Sequence, residues 1–116
     1  MVPALSRGDV VLTRFPFTHL TCRSLRPALV VSQGQVGQDI VLVAISSVLR
    51  DTLAPTDYTV DPTHSEFALT GLHVISVFRM HRLATVERSI IVRRLGRIGP
   101  QLQVEVDRLL RTVLAL

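Results

Sequence analysis

The chain has 116 residues, of which 47% are hydrophobic and 19% charged, with a formal net charge of +4 and a mean hydropathy of +0.40. That length fits one domain with one core, residues 1–116, and the apolar excess is more than a small monomer can cover, so an oligomer is expected. No apolar run reaches the roughly 20 residues of a membrane helix, residues 1–8 lack the apolar centre of a signal peptide, and the lone Cys22 excludes an internal disulfide and a thiolate metal cluster. A cytoplasmic location is the expectation, with Cys22 a free thiol in a loop. All 13 basic residues are arginines. Arginine forks onto phosphate and stacks on bases, so RNA or DNA is an allowed partner; a genome rich in arginine codons would give the same count.

In chain order, Asp9 to Phe15 reads as a first strand, weakened at its end by Pro16, which has no donor. Phe17 to Leu25 is a polar loop, long for a hairpin, carrying Thr18, His19, Thr21, Cys22, Arg23 and Ser24. Arg26 to Ser32 and Asp39 to Ile45 are β-branched runs separated by a turn with Gly34 and Gly37, and they read as paired strands apolar on both faces. Val48 to Pro55 is a loop with room for one helical turn, and Asp57 to Val60 is a short strand. Asp61-Pro62-Thr63-His64 is turn chemistry, and Glu66 to Leu72 is irregular. His73 to Arg82 is the fourth main strand; alternation puts Val77, Arg79 and His81 on one face and Phe78 and Met80 on the other. Leu83 to Arg88 reads as a turn or short helix, and Ser89 to Ile98 as a further strand. Pro100 opens a helix whose apolar stripe is Leu102, Val106, Leu109, Leu110 and Val113. Several strands followed by one terminal helix predict an antiparallel sheet curled into a small, partly open barrel, with the helix closing its core.

If the strands beginning at Arg26 and ending at Ser46-Ser47 are antiparallel neighbours, a guanidinium and two hydroxyls converge at one rim of the sheet. Such a cluster suits a phosphate.

Taken together, the pieces resemble the MazF/PemK/Kid family of toxins from type II toxin–antitoxin systems. They are Arg7-Gly8-Asp9-Val10-Val11, Arg26-Pro27-Ala28-Leu29-Val30-Val31, Val43-Ala44-Ile45-Ser46-Ser47, Ser76-Val77-Phe78-Arg79, Leu83-Ala84-Thr85-Val86-Glu87-Arg88 and Arg94-Leu95-Gly96-Arg97-Ile98, in the family's order. The resemblance implies a mainly β, SH3-like antiparallel barrel of the CcdB/Kid type with a C-terminal helix, a homodimer, and cleavage of single-stranded RNA with neither metal nor other cofactor. It also implies a cognate antitoxin. By motif, Arg26 matches the family's catalytic arginine, Ser46 falls at a catalytic threonine, Ser47 at an RNA-binding serine, and Arg79 at a second catalytic arginine of some members. Two departures stand out: His81 replaces the aspartate those members carry two residues past that arginine, and the loop before Arg26 has Thr21-Cys22-Arg23-Ser24-Leu25 in place of glycine.

Metal-free RNA cleavage turns the RNA's own 2′-OH into the nucleophile. It needs a proton acceptor, a proton donor and positive charge on the phosphate. Arg26 and Arg79 are candidates for the charge, Ser46 for a phosphate oxygen, and Ser47, Arg23 and His19 for RNA contacts. Each could instead be an ordinary solvated or turn-capping residue. His81 has three readings: a proton carrier, because histidine titrates near neutrality; the mark of a degenerate toxin that has lost its aspartate; or a surface histidine. His64 and His73 have no partners at metal-ligand spacing. Two other functions compete with the nuclease: a CcdB-like gyrase-poisoning protein on the same barrel, and a non-catalytic RNA-binding relative.

Overall fold

The computed structural model describes residues 4–14, 25–34, 37–47 and 53–116. Among them, six strands form one antiparallel sheet: β1 (Asp9–Arg14), β2 (Leu25–Val30), β3 (Asp39–Ser46), β4 (Asp57–Val60), β5 (Ser76–Glu87) and β6 (Ile91–Arg97), in the spatial order β4-β5-β3-β2-β1-β6. One α-helix, α1 (Pro100–Leu114), follows the last strand. The expected mainly β fold with a C-terminal helix is what the chain adopts.

The doubly apolar strands β2 and β3 have a core on each side. On one face Val10, Leu29, Val43, Ile45, Phe78 and Met80 pack against Leu102, Val106, Leu109 and Leu110 of α1. This is the predicted helical stripe, with Val113 packed at its margin. On the other face Val11, Ala28, Val30, Ile40, Leu42 and Ile91 form a second cluster. Alternation along β2 and β3 feeds successive residues to opposite clusters, which is why both strands read as continuous apolar runs.

Two boundaries differ from the sequence reading. The fourth main strand starts at Ser76, later than the expected His73, and runs on to Glu87 through the segment read as a turn or short helix. Its alternation is interrupted where the partners of β3 jump from Leu83 opposite Val43 to Arg79 opposite Ala44, so that Met80, His81 and Arg82 fall within a register shift. Such a bulge hides a strand's continuity from a period-two pattern. A 3₁₀ turn at Arg88–Ile90 then separates β5 from β6. The expected strand Ser89 to Ile98 is therefore shortened to Ile91–Arg97. The reading of Val48 to Pro55 lies mostly outside the described residues.

The two ends of the sheet are drawn together. After edge strand β4 the chain forms a 3₁₀ turn at Phe67–Thr70 that lies against β6, the opposite edge. The approach is close enough to require glycine on both sides. A Cβ on Gly71, whose φ is +76°, would sit 2.1 Å from the Leu95 carbonyl oxygen, and one on Gly96 would sit 2.2 Å from that of Leu69.

The same crossing delivers the cap of α1. Gly99 offers no capping side chain, and Glu66 takes that role from 35 residues away: its Oε2 accepts the Gln101 N–H at 2.9 Å and its Oε1 the Leu102 N–H at 2.8 Å. A carboxylate on the first N–H groups of a helix satisfies orphan donors and meets the positive end of the dipole. Glu66→Ala is expected to destabilise the fold by about 2 kcal/mol, since hydrogen bonds to charged groups are the stronger kind. Urea unfolding should show this as a lower midpoint, and Glu66→Gln should recover part of the loss by keeping one acceptor. An unchanged midpoint for the alanine variant would refute the cap.

The Arg7-Gly8-Asp9 motif turns out to hold the framework. Arg7 donates to the Val31 carbonyl at 2.6 Å and pairs with Asp107 of α1. Burial pushes the Asp107 carboxyl up, but the Arg7 and Gln103 hydrogen bonds outweigh it and the group sits below the usual carboxylate value. Asp9 is buried, accepts the Ser6 N–H at 2.8 Å, and lies 3.6 Å from Arg94 and 3.7 Å from Arg97 of β6.

Candidate active site

The register of the sheet builds the site. Ala28 of β2 faces Ala44 of β3, Ala44 faces Arg79 of β5, and Arg79 faces Asp57 of β4. Residues directly opposite on paired strands share a face, so this row crosses four strands on one side of the sheet. Two residues along, the same face carries Arg26 on β2 and Ser46 on β3, opposite Val77 of β5. The β2–β3 pairing, extended by two residues, sets Arg26 beside Ser46. Arg26 and Arg79 thus stand two strands and two residues apart, about 12 Å between backbones at sheet spacing, within reach of one phosphate group for two long side chains. On the intervening strand β3 the same face carries only the small side chains Ala44 and Ser46 at these positions.

The expected convergence of arginine and hydroxyls is present. Arg26 is exposed at the rim; among the described residues its hydrogen bond is a long one, 3.5 Å, to the Leu25 carbonyl, and no carboxylate lies within ion-pair distance. Ser46 ends β3 half-buried, and Ser47 follows it in the open. His19 and Arg23, the other two expected RNA-contacting residues, lie outside the described residues, as does Cys22.

Arg79 and His81 share a face, as alternation predicts, and both reach a group that the sequence reading missed. The Asp57 side chain is almost wholly buried, 1% exposed. Its Oδ2 accepts the Ala54 N–H at 2.9 Å. Its Oδ1 lies 3.5 Å from Arg79 Nε and 3.6 Å from His81 Nδ1, and accepts no hydrogen bond among the described residues. The His81 side chain is 40% exposed, with Nδ1 on the Asp57 side and part of the ring open to solvent. The only local signal for Asp57 was its place at the head of a short strand; its partners come from a strand far along the chain.

A cavity of about 350 Å³ lies elsewhere, lined by Val31, Ser32, Val41, Leu83, Leu110 and Leu114 among others. It is at the far end of β2 from Arg26, roughly 17 Å away along the strand, and has none of the Arg26, Ser46, Arg79 and His81 groups. Among the described residues no helix is long and apolar enough to cross a membrane.

No curated protein matches the sequence. Solved structures do match its fold. A mycobacterial endoribonuclease in complex with its cognate antitoxin superposes with a TM-score of 0.73 at 21% identity, covering 97% of both chains. MazE–MazF from Deinococcus radiodurans gives a TM-score of 0.70 at 20% identity, again over 97% of both chains. MazF from the same organism gives 0.68 at 23% identity over 100% of this chain and 99% of that one. The family model for the PemK-like, MazF-like toxin of type II toxin–antitoxin systems matches residues 6–114. With that match running from just before the Arg7-Gly8-Asp9 motif to the last turn of α1, the chain belongs to the PemK-like, MazF-like toxin family of type II toxin–antitoxin systems.

Proposed function

We propose that this toxin is an endoribonuclease that cleaves single-stranded RNA by attack of the RNA's own 2′-OH, without a metal ion. The observation that carries the reading is the shared sheet face of Arg26, Ser46 and Arg79, with His81 beside them. Two guanidinium groups supply the positive charge on phosphorus that a metal supplies in other nucleases. Ser46 donates to a phosphate oxygen, and Ser47 contacts the RNA beside it. His81 takes the 2′-OH proton as the 2′-oxygen bonds to phosphorus. The bond to the 5′-oxygen breaks, leaving a 2′,3′-cyclic phosphate on one fragment. The departing oxygen takes a proton from water to become a 5′-hydroxyl, and His81 returns its proton to solvent. The reading extends to a homodimer and to a cognate antitoxin whose acidic segment covers the arginine rim. It is supported by the fold shared with an endoribonuclease bound to its antitoxin.

The test is purified protein on naked single-stranded RNA in excess EDTA. Fragments carrying 2′,3′-cyclic phosphate and 5′-hydroxyl ends by mass spectrometry are expected. No cleavage under any condition would overturn the nuclease reading, and cleavage that appears only on adding a divalent cation would overturn the metal-free mechanism.

A further inference from the structure

We infer that Asp57 is the positioning residue of His81: its buried carboxylate fixes the imidazole with Nδ1 as proton donor toward Oδ1 and Nε2 turned outward as the base. This rests on the nuclease reading for its consequence in catalysis, but not for its geometry. A carboxylate with 1% exposed surface is costly unless its oxygens are satisfied. One is satisfied by the Ala54 N–H, while Oδ1 accepts no hydrogen bond among the described residues and has Arg79 Nε at 3.5 Å and His81 Nδ1 at 3.6 Å. The His81 contact is just beyond hydrogen-bond range, and contacts of this kind tighten when a substrate is bound.

The ring's two nitrogens are distinct, and the partner of one decides what the other can do. With Nδ1–H directed at Asp57, Nε2 carries the free lone pair. On taking the 2′-OH proton the ring becomes an imidazolium, whose new charge is held by the carboxylate behind it. Arg79 meets the same oxygen, so Asp57 also holds that guanidinium in place. His81 falls within the register shift at Met80 to Arg82, while edge strand β4 brings Asp57 under Arg79. Where the resemblance implies an aspartate in some members, this chain has His81 with a carboxylate supplied from another strand.

With its carbonyl kept on the Ala54 N–H, Asp57→Asn turns an amide N–H₂ toward both Arg79 Nε–H, a donor that it repels, and Nδ1, which must then accept. The ring is driven to the Nε2–H tautomer, the wrong one for a base; the same exchange behind the histidine of a serine protease costs about 10⁴ in kcat. The experiment uses the full chain labelled with ¹⁵N-histidine, at a pH where His81 is neutral. Its signals are assigned by their loss in His81→Ala. Wild-type protein is expected to show the Nδ1–H tautomer and Asp57→Asn the Nε2–H tautomer. In RNA cleavage, Asp57→Asn is expected to lower kcat by about 100-fold or more with little change in KM. In a His81→Ala background the same substitution should have little further effect, because coupled residues are not additive. An unchanged tautomer in Asp57→Asn overturns the proposal, and so does full additivity, which would mean that Asp57 acts through Arg79 alone. If wild-type protein cuts no RNA, the nuclease reading falls while the tautomer measurement still decides the role of Asp57.

Discussion

Arg26→Ala is expected to lower the rate of RNA cleavage by about 100- to 1,000-fold, the usual loss on removing one preorganised donor from a developing charge. Arg26 is at the exposed end of β2 and has no ion pair among the described residues. Its charge is therefore not committed to holding the fold. The purely apolar stretch of β2, Ala28 to Val30, is fully buried and carries the packing on both sides of the sheet. The variant should keep the wild-type circular dichroism spectrum and urea midpoint while losing turnover. Arg26→Lys should recover only part of the rate, because an ammonium keeps the charge but not the planar fork that grips two phosphate oxygens. Single-turnover cleavage with product quantified on a denaturing gel measures the effect. A folded Arg26→Ala protein with wild-type rate would remove Arg26 from the site.

Arg26 was legible in the sequence for a local reason. The residue lies beside Pro27 at the head of a β-branched run, and a following run ends in Ser46-Ser47. Two short strands with a turn between them pair antiparallel, so the start of one and the end of the other meet by necessity. The helix stripe was legible for the same kind of reason, since a 3.6-residue period is written in adjacent turns. What stayed hidden was non-local. Glu66 caps a helix that begins at Pro100, and no pattern around Glu66 announces it. Asp57 meets Arg79 and His81 only because β4 pairs with β5, which places an edge strand under the site. The continuation of β5 to Glu87 was masked by its bulge, which breaks the alternation that identifies a strand. In each case a carboxylate or a backbone irregularity gains its meaning from a partner that the sequence places far away.

His81→Ala is expected to lower kcat by roughly 100-fold or more, the usual contribution of a positioned proton acceptor. It should leave RNA binding nearly intact, because the arginine pair carries the phosphate affinity. That split separates the readings of this position. A surface histidine would change neither quantity, and a degenerate toxin would have no rate to lose. The neighbouring charge makes a further point. His81→Asp installs the aspartate that the resemblance implies for some members, yet here it would set a second carboxylate beside the buried Asp57 side chain, whose Oδ1 is already 3.6 Å from the His81 ring. Like charges so close oppose each other's ionisation, so His81→Asp should not restore the wild-type rate. Adding Asp57→Asn to it should relieve the repulsion and raise the rate above that of His81→Asp alone. Rate measurements on the three variants and the parent complete the test. If His81→Asp is as fast as wild type with Asp57 in place, the two groups are not coupled and the pairing of position 81 with Asp57 has no part in the chemistry.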